Sequence, residues 1–396
     1  MKSANGQRSV TVGLLLLVLF AFQSLGSSTS SINLSHNPGA SLFPAIAVSG
    51  QNVYVVWDDE SFGATEILYV RSADGGRTFS EPLNLSNDPG DSRNVAIAAS
   101  NSNVYVAWED NTPGNFEVFY SVSRDSGQSF STPRNLSQTP GDSILPKIAV
   151  SGPNVYVIWQ DESGGPSQIF YSRSTDGGDT FTAPRNLSQA PGAARSPVIA
   201  ISGTNVYAAW DDKTPGTHEI FFAHSSDAGA TFSAPQNISN SGTFATAPNL
   251  AASGNDVYLT WTERTEARHY EVFYSSSHDG GLSFTAPQNV SQSGTYSGAS
   301  VIGISADGIC LAWIEGIPIA GNDASKMDYE LYYTHALNSG GIFAPAENLS
   351  ESDGTTVSPA IAVSDKNIYV AYTDDSSGNF EILLENLRVR SFYYHM

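Results

Sequence analysis

The chain has 396 residues, of which 14% are charged, with 39 acidic against 18 basic side chains and a formal net charge of -21. So acidic a chain lacks the basic footprint that nucleic acid or an anionic membrane needs in a main partner. Cys310 is the only cysteine, which excludes an intrachain disulfide and leaves stability to a packed core, with this residue expected to serve as a small apolar member of it.

Residues 1–26 carry Lys2 and Arg8, then an apolar run from Val10 to Phe22, then Ser24-Leu25-Gly26. This is the layout of a secretory signal, and the run is short for a bilayer span; an uncleaved anchor is the rival reading. Removing it leaves 16 basic against 39 acidic residues, a net of -23. A secreted or cell-surface protein with no stable membrane span is expected, a Ser-rich linker over 27–31 leading into the folded part.

From Ile32-Asn33-Leu34-Ser35 onward the sequence repeats. The Asn returns at Asn84, Asn135, Asn186, Asn237, Asn289 and Asn348, at steps of 51, 51, 51, 51, 52 and 59 residues, which defines seven units. Four strands are predicted per unit: in the first, Pro44–Ser49, Asn52–Trp57, Glu66–Arg71 and Phe79–Ser86. Val, Ile, Tyr and Trp fill these runs, and Gly, Asp, Asn and Pro punctuate them. The second strand is apolar on both faces and so requires cover on both sides. All six tryptophans occupy one position in it (Trp57, Trp108, Trp159, Trp210, Trp261, Trp313), and Tyr372 takes the seventh.

Between the third and fourth strands stands the phrase Ser72-Ala-Asp-Gly-Gly-Arg-Thr-Phe79. It returns around Asp125, Asp176, Asp227 and Asp279, and in a worn sixth copy at Asn338. In a tight turn the Asp accepts unpaired backbone N–H groups, the unvarying glycine suits positive φ, and the Phe packs under the turn. This phrase resembles the Asp-box (BNR) repeat of sialidase-like β-propellers, in which the box is a fold element away from the active site. The expected fold is all-β: a seven-bladed β-propeller of four-stranded antiparallel blades over 32–386. The seventh unit has three predicted strands (Ser358–Val363, Asn367–Tyr372, Phe380–Glu385) and no box. The opening Ile32–Ser35 is expected to complete that blade and close the ring. The tail, 387–396, fits no repeat position.

A residue present in every unit serves the fold, whereas a single site must break the repetition. By that criterion the acids two residues past each Trp position (Asp59, Asp110, Asp161, Asp212, Glu263, Glu315, Asp374) are expected to cap turns, not to bind cations. The acids opening the third strand (Glu66, Glu117, Glu219, Glu271, Glu330 and Glu381, with Gln168 the exception) are read the same way. No metal or other cofactor is expected. The seven Asn-X-Ser phrases, at Asn33, Asn84, Asn135, Asn186, Asn237, Asn289 and Asn348, are formal N-glycosylation acceptors that also have a structural reading.

The irregular residues lie on the loops between blades and between second and third strands, which share one face of a propeller. They are Arg93, Arg195, Arg264, Arg268, His269 and Tyr296, beside a sixth loop, Gly316 to Tyr329, that is eight residues longer than usual. Together they suit an anionic or sugar ligand. Resemblance to sialidases implies an Arg-Ile-Pro signature, three arginines on the substrate carboxylate, a Tyr–Glu nucleophile and an Asp acid/base. Arg-Ile-Pro is absent, and no carboxylate pair is singled out. The preferred reading is a monomeric, secreted propeller that binds a glycan or other extracellular ligand without established catalysis. An exo-sialidase and a scaffold holding a protein partner are the alternatives.

Overall fold

The structure, a computed structural model, describes residues 31–267, 269–319, 327–337, 341–364 and 367–388. The signal segment, Arg268, Asn338 and most of the tail lie outside the described residues. The described chain is all-β, and its strands come in fours. Each repeat runs as in the first: Ser41–Ser49, Asn52–Asp59, Glu66–Ser72 and Leu83–Asn84, paired antiparallel in that order. Repeats 5 and 6 share one eight-stranded sheet, joined by a single parallel bridge between Tyr270 and Tyr296.

Three sequence expectations need correction. The fourth strand is not the long run Phe79–Ser86 but two residues, Leu83–Asn84. Its flanks are spent elsewhere: Phe79 packs against the core, and Ser86 Oγ receives the Ile67 N–H. The first strand starts earlier, at Ser41, because a bulge lets it continue past Pro44: its pairing slips between Leu42 and Ala45. In the seventh repeat the third strand runs through Leu387 to Arg388, so the tail's first two residues do hold a repeat position.

The opening segment pairs where expected. Ile32 and Asn33 lie opposite Leu384 and Leu383, and Leu34 N–H donates to the Ile382 carbonyl at 2.8 Å. That is the register of Leu83 and Asn84 against Tyr69 and Leu68 in repeat 1.

The apolar pattern decides where the core lies. Second strands are buried on both faces, with all six tryptophans at 0% exposure. Each hydrophobic cluster spans two repeats. Trp108, for instance, packs with Tyr54, Val56 and Tyr69 of the preceding repeat, and Trp57 packs with Tyr369, Ala371 and Leu384 of the seventh. First strands of successive repeats lie side by side, and Ser41–Ser49 also neighbours Thr356–Val363.

The Asp-box turns form as their chemistry dictates. Asp74 accepts the N–H groups of Arg77 and Thr78 at 3.0 Å and the hydroxyls of Ser72 and Thr78 at 2.7 Å. These bonds hold its carboxyl well below the usual carboxylate range. Gly127 has φ +76°, and a Cβ there would strike the Tyr69 hydroxyl of the preceding repeat. The box Phe packs edge-on against the same aromatic position (Phe130 on Tyr69 at 5.0 Å, Phe181 on Tyr120 at 5.0 Å), stapling one repeat to the next.

Candidate binding site at the channel mouth

The boxes and the turns between first and second strands occupy one end of the molecule. The opposite end carries the second-to-third-strand loops and the connections between repeats. The repeated acids at that end are structural, as expected. Asp59 accepts the Trp57 Nε1–H at 2.9 Å, the Ser41 hydroxyl at 2.9 Å and the Ser61 N–H at 3.0 Å. Asp110, Asp161, Asp212 and Asp374 each take the backbone N–H two residues on in the same way. Among the described residues, no group of three or more His, Cys, Asp or Glu side chains is gathered to hold a metal.

The Asn-X-Ser phrases and the third-strand acids turn out to be one device. Ser137 Oγ donates to Glu117 and receives the Val118 N–H, while Asn135 Oδ1 accepts the N–H of Gln138, whose φ is +51°. Gln168 substitutes for the acid in repeat 3, accepting the Ser188 hydroxyl at 3.0 Å. In repeat 7 the clasp joins the two ends of the chain, Ser35 Oγ to Glu381.

Arg93 and Arg195 stand just before the first-strand bulge of repeats 2 and 4, whose next residues, Asn94 and Ser196, have φ of +53° and +54°. The same left-handed residue recurs in all seven repeats, at Phe43, Leu145, Ala247, Ala299 and Ser358 as well. These bulges ring the mouth of a central channel of about 570 Å³. Arg93 Nε donates to Glu109 Oε1 at 2.8 Å, and its guanidinium lies 4.1 Å from the Phe116 ring centre. Glu109 also accepts the Leu145 N–H at 2.7 Å, so it fixes both an arginine and the bulge of the next repeat. Asp58 does likewise for Asn94 N–H at 2.8 Å; burial pushes its carboxyl up to about 8 despite that bond.

Arg195 belongs to a tighter cluster. Asp211 is fully buried; it accepts His218 Nδ1–H at 2.7 Å and the Thr246 hydroxyl at 3.1 Å. Arg195 Nη2 lies 2.7 Å from His218 Nε2 and 3.1 Å from Nδ1, against the imidazole that Asp211 holds. Arg195 Nε stands 3.5 Å from Asp211, an ion-pair distance at which it makes no hydrogen bond. Burial raises the Asp211 carboxyl, while the Arg195 guanidinium and the Thr246 hydroxyl oppose the rise. The cluster props a half-exposed guanidinium over the mouth.

Beside it runs a flight of rings. His218 meets Phe244 at 5.3 Å, Phe244 meets Tyr270 at 6.4 Å, Tyr270 meets Tyr296 at 6.1 Å, and Tyr296 meets Tyr329 at 5.8 Å. Tyr296 is thus a member of this row of rings. Arg264 and His269 are exposed on the neighbouring loop, whose turn is tied by Thr265 N–H to the His269 carbonyl at 2.8 Å. Neither side chain joins the Arg195 cluster among the described residues.

Sequence reading missed Asp58, Glu109, Asp211, His218, Phe244 and Tyr270. The signal was present: the residue directly after the Trp position reads Asp58, Glu109, Gln160, Asp211, Thr262, Ile314 and Thr373, and so breaks the repetition.

No protein-family model matches the sequence, and no curated protein matches it either. Solved structures share its fold. An ulvan lyase of a polysaccharide lyase family, bound to a GlcA(1-4)Rha3S saccharide, is 11% identical over 89% of this chain and 95% of its own, with a TM-score of 0.61. A Dyadobacter fermentans protein of unknown function is 13% identical over 92% of this chain and 99% of its own, at 0.56. The phage phi92 endosialidase is 9% identical over 92% of this chain and 70% of its own, at 0.55. The architecture is that of the sialidase-like β-propellers.

Proposed function

We propose that the chain is a secreted, seven-bladed propeller, closed by its opening strand, that binds an acidic glycan across the channel mouth. The pairing of Ile32 and Asn33 with the seventh repeat supports closure. The glycan-acting names of the structural neighbours support the ligand class. The observation that carries the reading is the junction of the propped Arg195 with the Phe244–Tyr270–Tyr296 rings: a guanidinium for a carboxylate or sulfate beside faces on which sugar rings stack.

Binding without turnover is preferred because the buried His218–Asp211 pair is covered by the Arg195 guanidinium, 2.7 Å from Nε2. Arg93 and Arg195 are each tied to an acid of their own repeat, which does not favour three arginines converging on one carboxylate.

Calorimetry with a polyuronate and with a neutral glucan tests this. Wild type is expected to take the polyuronate alone, and R195A to bind it about tenfold more weakly, as for loss of one charge-assisted contact. Equal binding of both polymers, or an unaffected R195A, would overturn the reading. Hydrolysis of a fluorogenic sialoside, abolished in R195A, would replace it with an exo-sialidase. Capture of a protein partner with no glycan bound would replace it with a scaffold.

A further inference from the structure

The channel behind the mouth presents a second irregularity. Seven first strands line it, and at the position two past the bulge residue they carry Ala45, Ala96, Lys147, Val198, Asn249, Val301 and Ala360. Five are small or aliphatic. Asn249 Oδ1 is engaged by the Ile302 N–H at 3.2 Å. Lys147 is the one ionisable residue on the channel wall among the described residues.

Its ammonium makes no hydrogen bond or ion pair with any described residue. The surrounding wall lowers its pKa, yet its side chain still faces the solvent inside the channel. The acids near enough to act on it are Asp58 and Glu109. Glu109 is matched by Arg93 at 2.8 Å, and Asp58 is committed to the Asn94 N–H at 2.8 Å, with burial raising its carboxyl. Both acids are thus engaged by other partners, and neither pairs with Lys147 at hydrogen-bond or ion-pair distance.

We propose that the channel is a binding site for a small amphipathic carboxylate, whose head group pairs with Lys147 and whose apolar body lies along the Ala, Val, Ile and Pro wall. A solvent-facing ammonium set on an otherwise apolar wall offers an anionic head group a charge partner beside a surface for an apolar body, so the two parts of such a ligand are met together. A volume of about 570 Å³ suits a ligand of this class. Arg195 stands at the mouth and takes no part, so this site is separate from the proposed glycan site.

The test is calorimetric titration of the full chain with octanoate and with methyl octanoate, which has the same body and no charge. Octanoate is expected to bind wild type, K147R and R195A alike, to bind K147Q at least tenfold more weakly, and to bind better than its ester. K147Q is expected to melt no lower than wild type, so lost binding would not reflect lost fold. Absence of octanoate binding, undiminished binding by K147Q, or equal binding of the ester would each overturn the proposal. Failure of R195A to lose polyuronate would count against the mouth and leave the channel standing.

Discussion

Side chain by side chain, the acids divide into three kinds that composition cannot separate. Asp74 and its box equivalents hold turns, Asp59 and Glu66 with theirs tie strands and loops together, and Asp58, Glu109 and Asp211 anchor the mouth. The first two kinds were legible because they recur. The third hid inside the doublets Asp58-Asp59, Glu109-Asp110 and Asp211-Asp212, where the regular member masks the irregular one. His218 and Phe244 were invisible for another reason: their value lies in touching each other across a loop junction, which no spacing reveals. The tryptophans give the simplest prediction at this scale. Trp159 is fully buried at a junction between repeats, so W159A should lose about 3–5 kcal/mol in denaturant unfolding.

Among the elements, the two-residue fourth strand is where propensity misled most. The alternation of Phe79, Leu83 and Leu85 with polar residues reads as a long strand, yet its flanks serve the clasp and the box instead. The closing strand is equally short, so its hold rests on Leu34 in the core and on the Ser35–Glu381 clasp as much as on pairing. Deleting residues 31–35 should therefore lower the melting temperature by several degrees; an unchanged melting curve would refute the mixed blade.

The seventh repeat has a second peculiarity. Where other repeats place Ser121 or Ser172, it places Glu385, buried, with Oε1 accepting the Tyr372 hydroxyl at 3.1 Å and Oε2 without a partner. Burial raises this carboxyl from 4.5 to about 7. Below pH 4.5 it is neutral whether folded or unfolded, and nothing is lost; between 4.5 and 7 the unfolded chain releases the proton first, so stability falls as pH rises. E385Q should therefore gain on the order of 3 kcal/mol over wild type at about pH 8 and nothing at about pH 4. A gain equal at both pH values would contradict this.

Taken as a whole, the molecule sets a strongly negative surface around a mouth where two arginines and a lysine are concentrated. The bulk charge repels a polyanion at long range while the mouth attracts it at contact, so binding should be selective and slow to form rather than steered. The repetition of four-stranded units was legible from the Asn spacing alone, because repetition multiplies a weak local signal. The channel was not, since its lining emerges only when first strands far apart in the sequence lie together.

The short pairing of Ile32 and Asn33 with Leu384 and Leu383 also carries a consequence for how the chain comes into being. The first strand of the fold finds its partner only when nearly all the other strands have been made. Until then both ends of the growing array are raw sheet edges, open to pairing with strangers, and the strand Glu381–Arg388 acts as the latch.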